Sequence, residues 1–242
     1  RRGLRRVRHV VANSHDAWIR LVKTCHIPPS KISVIHNALV FPASDSIIPN
    51  QALRKEHGAK PNTLVALSVA MFRPEKNQRE LIEIFSAINP RFDWQLWLAG
   101  EGPELDSCRQ LAKRFKVGHR VKFFGLVRDP SPLYRAADLG VLTSLSESLS
   151  NFLIEAQAYG LAVVAYDAQG VREAMLPGTT GWPIPLGDKK QFTQWIERSL
   201  QGPSPLGKIR GIAPFAREFA RESFDPARQA DAYLELFEKL IG

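Results

Sequence analysis

From Leu139 to Tyr166 the chain reads LGVLTSLSESLSNFLIEAQAYGLAVVAY. Two apolar runs, Leu139 to Thr143 and Leu161 to Tyr166, bracket a segment with helical spacing that begins at Asn151. Continuous apolar runs of that length suit strands buried on both faces. Between them Phe152, Glu155, Ala156 and Tyr159 fall at i, i+3, i+4 and i+7, one stripe of a helix turned toward a core. A carboxylate on such a stripe must be paired or hydrogen-bonded, because burying it bare is costly. Vicinal hydroxyls, such as those of a ribose, would satisfy Glu155; so would a local backbone amide or an arginine. A second carboxylate, Glu147, precedes it with seven residues between.

The same alternation continues outward. Leu64 to Ala70 reads as a strand, followed by a helix through Leu81, Phe85 and Ile88. Trp94 to Ala99 is the next strand, broken by Gly100-Glu101-Gly102-Pro103 before a helix through Leu105, Leu111 and Phe115. Arg120 to Phe124 and Gly181 to Ile184 complete the set. This order predicts an α/β fold with a doubly wound, Rossmann-like parallel sheet. A smaller strand-helix-strand unit spans Val10 to Ala12, His15 to Thr24 and Ile32 to Ile35. It is too small to bury its own faces, so it must pack on the main sheet or belong to a neighbouring domain. At the far end, Pro205 to Glu222 and Pro226 to Ile241 read as two helices, the last with an apolar stripe of Ala230, Tyr233, Leu234, Phe237 and Leu240.

The chain has 242 residues, 44% of them hydrophobic, enough for a sizeable core. No apolar run reaches the length of a membrane span. Its net charge of +9 is local. Residues 1–60 hold 11 Lys and Arg against 3 Asp and Glu, whereas the remainder holds 22 against 21. The cations are densest at Arg1, Arg2, Arg5, Arg6 and Arg8. They suit an anionic membrane surface or phosphorylated glycan, or a plain solvated edge; without interleaved aromatics, nucleic acid is not expected. Cys25 and Cys108 lack metal-ligand spacing and read as reduced thiols of a cytoplasmic protein.

In an open parallel sheet, ligands bind beyond the carboxyl ends of the strands. The loops leaving those ends are residues 71–77, 100–103, 125–130, 144–151 and 167–171. The first carries Arg73 and Lys76 just before a helix, cations suited to a diphosphate. The Ser148-Leu149-Ser150-Asn151 run offers helix-start amides to a second anion, or serves as a plain N-cap. A dinucleotide glycine fingerprint, a P-loop and a nucleophile elbow are all absent from the sequence. His9, His15, His26, His36, His57 and His119 have no close carboxylate or cysteine companion in sequence, so no metal is expected.

These residues resemble the retaining family-four (group 1) glycosyltransferases of the GT-B fold. The resemblance rests on Arg-Pro-Glu-Lys-Asn at 73–77, Leu-Ala-Gly-Glu-Gly-Pro-Glu-Leu at 98–105, Val-Lys-Phe-Phe-Gly at 121–125 and Tyr-Arg-Ala-Ala-Asp at 134–138. The spaced glutamates and Gly-Thr-Thr-Gly-Trp at 178–182 extend it. It implies one half of a GT-B fold: residues 1–60 a remnant of the amino-terminal domain and linker, 61–222 the donor-binding domain, and 223–242 a helix returning to the first domain. The implied donor is a nucleotide diphosphate sugar. Glu155 would hold the ribose, with Glu147 near the diphosphate and transferred sugar. Arg73 and Lys76 would neutralise the leaving diphosphate in place of the metal that other glycosyltransferases use, with no cofactor. Gly100, Phe124, Gly125 and Leu126 would border the nucleotide, and Ser148, Leu149, Ser150, Asn151 and Phe152 would meet sugar and phosphate.

By the same resemblance, transfer proceeds with retention to a glycan or lipid-linked acceptor held by the amino-terminal domain. It also implies bacterial cell-envelope polysaccharide or lipopolysaccharide synthesis, in the cytoplasm or peripherally at the membrane's inner face. Two departures stand out. Ala70-Met71 replaces the family's Gly-Arg, leaving Arg73 to supply that cation, and Glu147-Ser148-Leu149 replaces Glu-Gly-Phe. The amino-terminal domain is largely missing, so this chain is expected to bind donor but transfer poorly alone. A sugar-nucleotide epimerase of the same architecture, or a non-catalytic nucleotide-sugar-binding module, are the alternatives.

Overall fold

The computed structural model describes residues 7–42, 47–201 and 205–241. Arg1, Arg2, Arg5 and Arg6, the densest cations, lie outside the described residues. Six parallel strands form the main sheet, in the spatial order β5-β4-β3-β6-β7-β8. They are β3 (Leu64–Val69), β4 (Trp94–Ala99), β5 (Val121–Gly125), β6 (Leu139–Leu142), β7 (Ala162–Tyr166) and β8 (Gly181–Ile184). All five pairings are parallel. Every residue of β4, β6 and β7 is buried, which explains their unbroken apolar sequences: helices cover both faces.

Two apolar clusters lie on opposite sides of this sheet. One packs Leu81, Phe85 and Ile84 of α3 (Gln78–Ser86) and Phe192 of α7 (Lys189–Ser199) against alternate strand residues such as Leu64, Leu96 and Val164. The other packs Phe152, Leu153 and Ala156 of α6 (Asn151–Ala158) against Val65, Trp97 and Val163. Successive strand side chains point to opposite faces, so each strand contributes to both clusters.

The chain builds β3, β4 and β5 in one direction, then returns across the sheet to place β6 beside β3. That reversal separates the loop after β3 from the loop after β6 and opens a crevice between them. At the opposite, amino end of the same two strands, an ionic cluster fixes their register. Asp138 accepts from Arg54 Nη1 (2.9 Å), Arg210 Nε (2.9 Å) and the amide of Val65 (2.9 Å). Arg54, on α2 (Gln51–Glu56), also donates to the carbonyls of Ala136 and Thr63.

The small unit of β1 (Val10–Ala12), α1 (His15–Cys25) and β2 (Ile32–Val34) does not extend the main sheet. Its strands pair with each other in parallel, Val10 with Ile32 and Ala12 with Val34. It meets the larger body through the β7–β8 loop: the Gly170 amide donates to Asp16 Oδ2 (2.6 Å) and Gln169 Nε2 to the Asp16 carbonyl (3.2 Å).

One helical expectation needs correction. The span from Pro205 to Glu222 is not one helix but two, α8 (Pro205–Arg210) and α9 (Ala213–Ser223). Pro214 has no amide hydrogen to continue the ladder, and with Gly211 it makes the chain restart. α10 (Pro226–Ile241) carries its apolar stripe on a face that the described residues leave largely uncovered. Leu234 and Phe237 are exposed, and Leu236 is the buried residue. Among the described residues, no helix is long and apolar enough to cross a membrane. Cys25 and Cys108 are unpaired, and burial pushes the Cys108 thiol up to about 11.

Candidate active site at the strand switch point

A cavity of ≈ 300 Å³ sits at the carboxyl ends of β3 and β6, where the strand order reverses. Lys76, Glu147, Leu149, Ser150, Asn151 and Phe152 line it together with the end of β3. Inside it Lys76 Nζ donates to both carboxylate oxygens of Glu147, at 2.6 and 2.8 Å. The Glu147 side chain is 9% exposed and that of Lys76 26%, so the pair is held mostly out of water while the ammonium keeps one open side.

Local backbone geometry places both partners. Residues 74–76 form a 3-10 turn, and Asn77 adopts the left-handed conformation (φ 53°) before α3 begins at Gln78. Lys76 is thereby turned into the crevice rather than along the helix. The Leu145 amide donates to the Glu75 carbonyl (2.8 Å) and Thr143 Oγ1 to the Asn77 carbonyl (2.8 Å), binding the loops after β3 and β6 to each other. The Glu147 amide donates to the Gln169 carbonyl (2.9 Å), which brings in the loop after β7. Gly170 (φ +76°) lies against the carbonyls of Glu147 and Ser148 so closely that a Cβ there has no room. Three strand-end loops therefore hold one glutamate.

The start of α6 forms the cavity's other wall. Ser150 is its N-cap and is buried, yet its hydroxyl makes no capping bond. Without that cap, the amides of the first turn remain donors directed at whatever occupies the cavity. Asn151 Oδ1 accepts from Asn37 Nδ2 (2.9 Å), tying this helix start to the segment after β2.

The remaining candidate residues lie elsewhere. Arg73 is half exposed, sits 3.8 Å from Glu75 and is not among the cavity-lining residues. Glu155 lies further along α6 and also does not line the cavity. Its partner is neither an arginine nor a backbone amide: Tyr134 Oη donates to Glu155 Oε2 at 2.6 Å. Burial pushes the Glu155 carboxyl up, and the tyrosine hydrogen bond only partly opposes this. Burial and the neighbouring carboxylate push the Tyr134 phenol far above its usual range. The Tyr134 ring stacks on Tyr159 (5.0 Å, 14°), which fixes the hydroxyl.

Gly100 (φ +137°) occupies a crossing where a Cβ would run into the Ala70 carbonyl, so its position is set by close backbone passage. Phe124 packs edge-on against His57 (4.9 Å) at an irregularity in the β4–β5 register. Gly125 follows at φ +66°, and Leu126 projects 68% exposed beyond the sheet. Two contributors were not legible in the sequence. Gln78 looks like an ordinary polar helix start, yet it is buried and donates to the Met71 carbonyl (2.9 Å), fixing the loop that carries Lys76. Ser144 is buried in the next loop, and its Oγ has no partner among the described residues.

The expectation that no histidine has a carboxylate companion is overturned in space. His15 Nδ1 (3.1 Å) and His36 Nε2 (3.0 Å) both contact Glu173 Oε2, from 158 and 137 residues away in sequence. The amides of His15 and Asp16 donate to the same carboxylate. Burial pushes Glu173 up, but these hydrogen bonds outweigh it and hold the carboxyl below its usual value.

A six-stranded parallel sheet with a polar crevice at its switch point defines a Rossmann-like nucleotide-binding type of fold. Residues 63–202 match the family described as glycosyl transferases group 1, and the chain belongs to that family. It is 32% identical over 174 residues to the lipopolysaccharide core biosynthesis glycosyltransferase LpsE of Rhizobium meliloti, covering 71% of this chain and 49% of LpsE. It is 27% identical over 247 residues to the D-inositol 3-phosphate glycosyltransferase of Thermobispora bispora, covering 96% and 56%. The chain thus spans about half the length of the curated relatives it matches. Among solved structures, HepE of Anabaena in complex with UDP and glucose aligns with a TM-score of 0.85 at 24% identity. That alignment covers 96% of this chain and 64% of HepE, and it shows a shared fold.

Proposed function

We propose that this chain is the donor-binding half of a retaining glycosyltransferase that moves a sugar from a nucleotide diphosphate sugar to a glycan or lipid-linked acceptor. The observation that carries this reading is the Lys76–Glu147 pair beside the uncapped start of α6, inside a cavity at the switch point. A diphosphate entering the cavity meets the open side of the Lys76 ammonium and the first-turn amides of α6. Both stabilise negative charge that grows as the sugar–phosphate bond breaks, and such preorganised donors lower the barrier to departure. Glu147 keeps Lys76 aimed into the crevice and remains close to the transferred sugar. Arg73, exposed and only loosely engaged by Glu75, is free to swing onto the outer phosphate.

In the ribose role Glu155 would act from beyond the cavity that Lys76 and Glu147 line, with one carboxylate oxygen already engaged. Tyr134 already holds Oε2, which leaves Oε1 for a ribose hydroxyl. On this reading residues 1–60 belong to the amino-terminal domain and linker, residues 61–222 bind donor, and 223–242 return toward the first domain. The acceptor is held by that first domain, and relatives named for lipopolysaccharide core synthesis favour an envelope glycan. HepE is described with UDP and UDP-glucose, which supports a uridine donor here.

The test is calorimetric titration of this chain with uridine, guanosine and adenosine diphosphates and their sugars. Saturable binding of one nucleotide, weakened in Lys76→Ala, is the expected result. No binding of any nucleotide sugar would remove the assignment.

A further inference from the structure

We propose that His15, His36 and Glu173 form a binding site for a divalent transition-metal ion of the zinc class, at the seam between the small amino-terminal unit and the main sheet. Two imidazoles and one carboxylate are a donor set that zinc takes up, leaving a fourth position for water. Here the three come from three separate elements: the first residue of α1, the segment after β2, and the β7–β8 loop. One atom from each residue lies within 4.8 Å of the other two. The nitrogen-to-oxygen separations of 3.1 and 3.0 Å are close to the spacing of about 3.3 Å that tetrahedral bonds of about 2.0–2.1 Å impose on neighbouring ligand atoms.

The groups are held for this purpose to different degrees. The amides of His15 and Asp16 anchor Glu173, and one of its oxygens already faces both rings. His36 packs edge-on against Phe224 at 5.9 Å, and its carbonyl accepts from Gln229, so its ring has a fixed direction. The His15 side chain is 71% exposed and can rotate the last fraction onto an ion. Without metal, each imidazole donates a proton to the carboxylate. With metal, each ring takes its other tautomer, so that the coordinating nitrogen presents a lone pair and the proton sits on the second ring nitrogen.

Such an ion would tie the amino-terminal unit to the loop that carries Gln169, whose carbonyl holds the Glu147 amide. Its expected consequence is a stiffer seam rather than a chemical step.

Zinc titration by calorimetry, with visible spectra of the cobalt-substituted protein, tests the site. One ion per chain is expected, with the absorption bands of tetrahedral cobalt and a raised melting temperature. His15→Ala, at an exposed side chain, and His36→Gln are each expected to weaken zinc at least about 10-fold, while His119→Ala leaves it unchanged. The proposal fails if the parent chain shows no saturable zinc binding. It also fails if His15→Ala and His36→Gln bind as tightly as the parent, or if His119→Ala loses as much.

Discussion

The two ends of the β3–β6 strand pair carry ionic clusters built to opposite specifications. At the amino end, Asp138 has donors from Arg54, Arg210 and the Val65 amide, and the Arg54 and Asp138 side chains are 3% and 4% exposed. At the carboxyl end, Glu147 has one cation, Lys76, which keeps an open side and borders a cavity. The first cluster gives one carboxylate two guanidinium groups and an amide, which holds the strands in register, although Arg54, Asp138 and Arg210 also border a cavity of ≈ 250 Å³. The second is left unfinished, and an anion can complete it. Partly satisfied polar groups in a preformed crevice are where a fold spends stability on binding.

Removing a member of each cluster should separate the two roles. Arg54→Ala leaves a buried carboxylate short of its partner and strips donors from three carbonyls, those of Lys60, Thr63 and Ala136. Loss of about 3–5 kcal/mol of stability is expected from urea unfolding. A loss within the range of ordinary surface substitutions would mean that the amino end is no more essential than the carboxyl end. Lys76→Ala should do the reverse. Because water can reach Glu147 from the cavity, its loss of stability should be smaller than that of Arg54→Ala, while turnover of the complete glycosyltransferase falls about 10²–10³-fold, as read by donor-hydrolysis or transfer assays. A large drop in stability without that loss of turnover would erase the contrast.

Glu155→Gln gives the smallest effect and sharpens the comparison. The amide oxygen still accepts from Tyr134, so the fold is kept, while the charged bond to ribose proposed above would be lost. Nucleotide affinity should fall by about 1–3 kcal/mol in calorimetry. The pH dependence has a definite sign. Because burial raises the folded Glu155 value, its contribution to stability is fully present below the ordinary carboxylate range. It is lost as pH rises through the raised value. Glu155→Gln should flatten that part of the stability profile, and an unchanged profile would contradict the assignment of the buried charge.

Much of this architecture was legible in the chain. The apolar runs at β3, β4, β6 and β7 announced strands buried on both faces, and their alternation with helical spacing announced a parallel sheet. The Asn151 to Tyr159 stripe placed Glu155 beside the core, and only its partner was unforeseen. Tyr134 lies 21 residues away, and no local pattern connects the two. The helix break before Ala213 is signalled by Gly211 and Pro214, which interrupt an otherwise helix-compatible stretch. The exposure of Leu234 and Phe237 was not readable, because periodicity shows that a stripe exists and not what covers it.

Local patterns along the chain specify the class of fold, the strand ends from which a site is built, and the residue types gathered there. Tertiary structure alone decided which of them meet: Lys76 with Glu147 across 71 residues, Glu155 with Tyr134 rather than with a cation, and two histidines with Glu173. The physical reason is one of range. Propensity and periodicity act over a few residues, whereas side-chain pairing at a switch point depends on strand order, and strand order is fixed only when the whole sheet closes around its core.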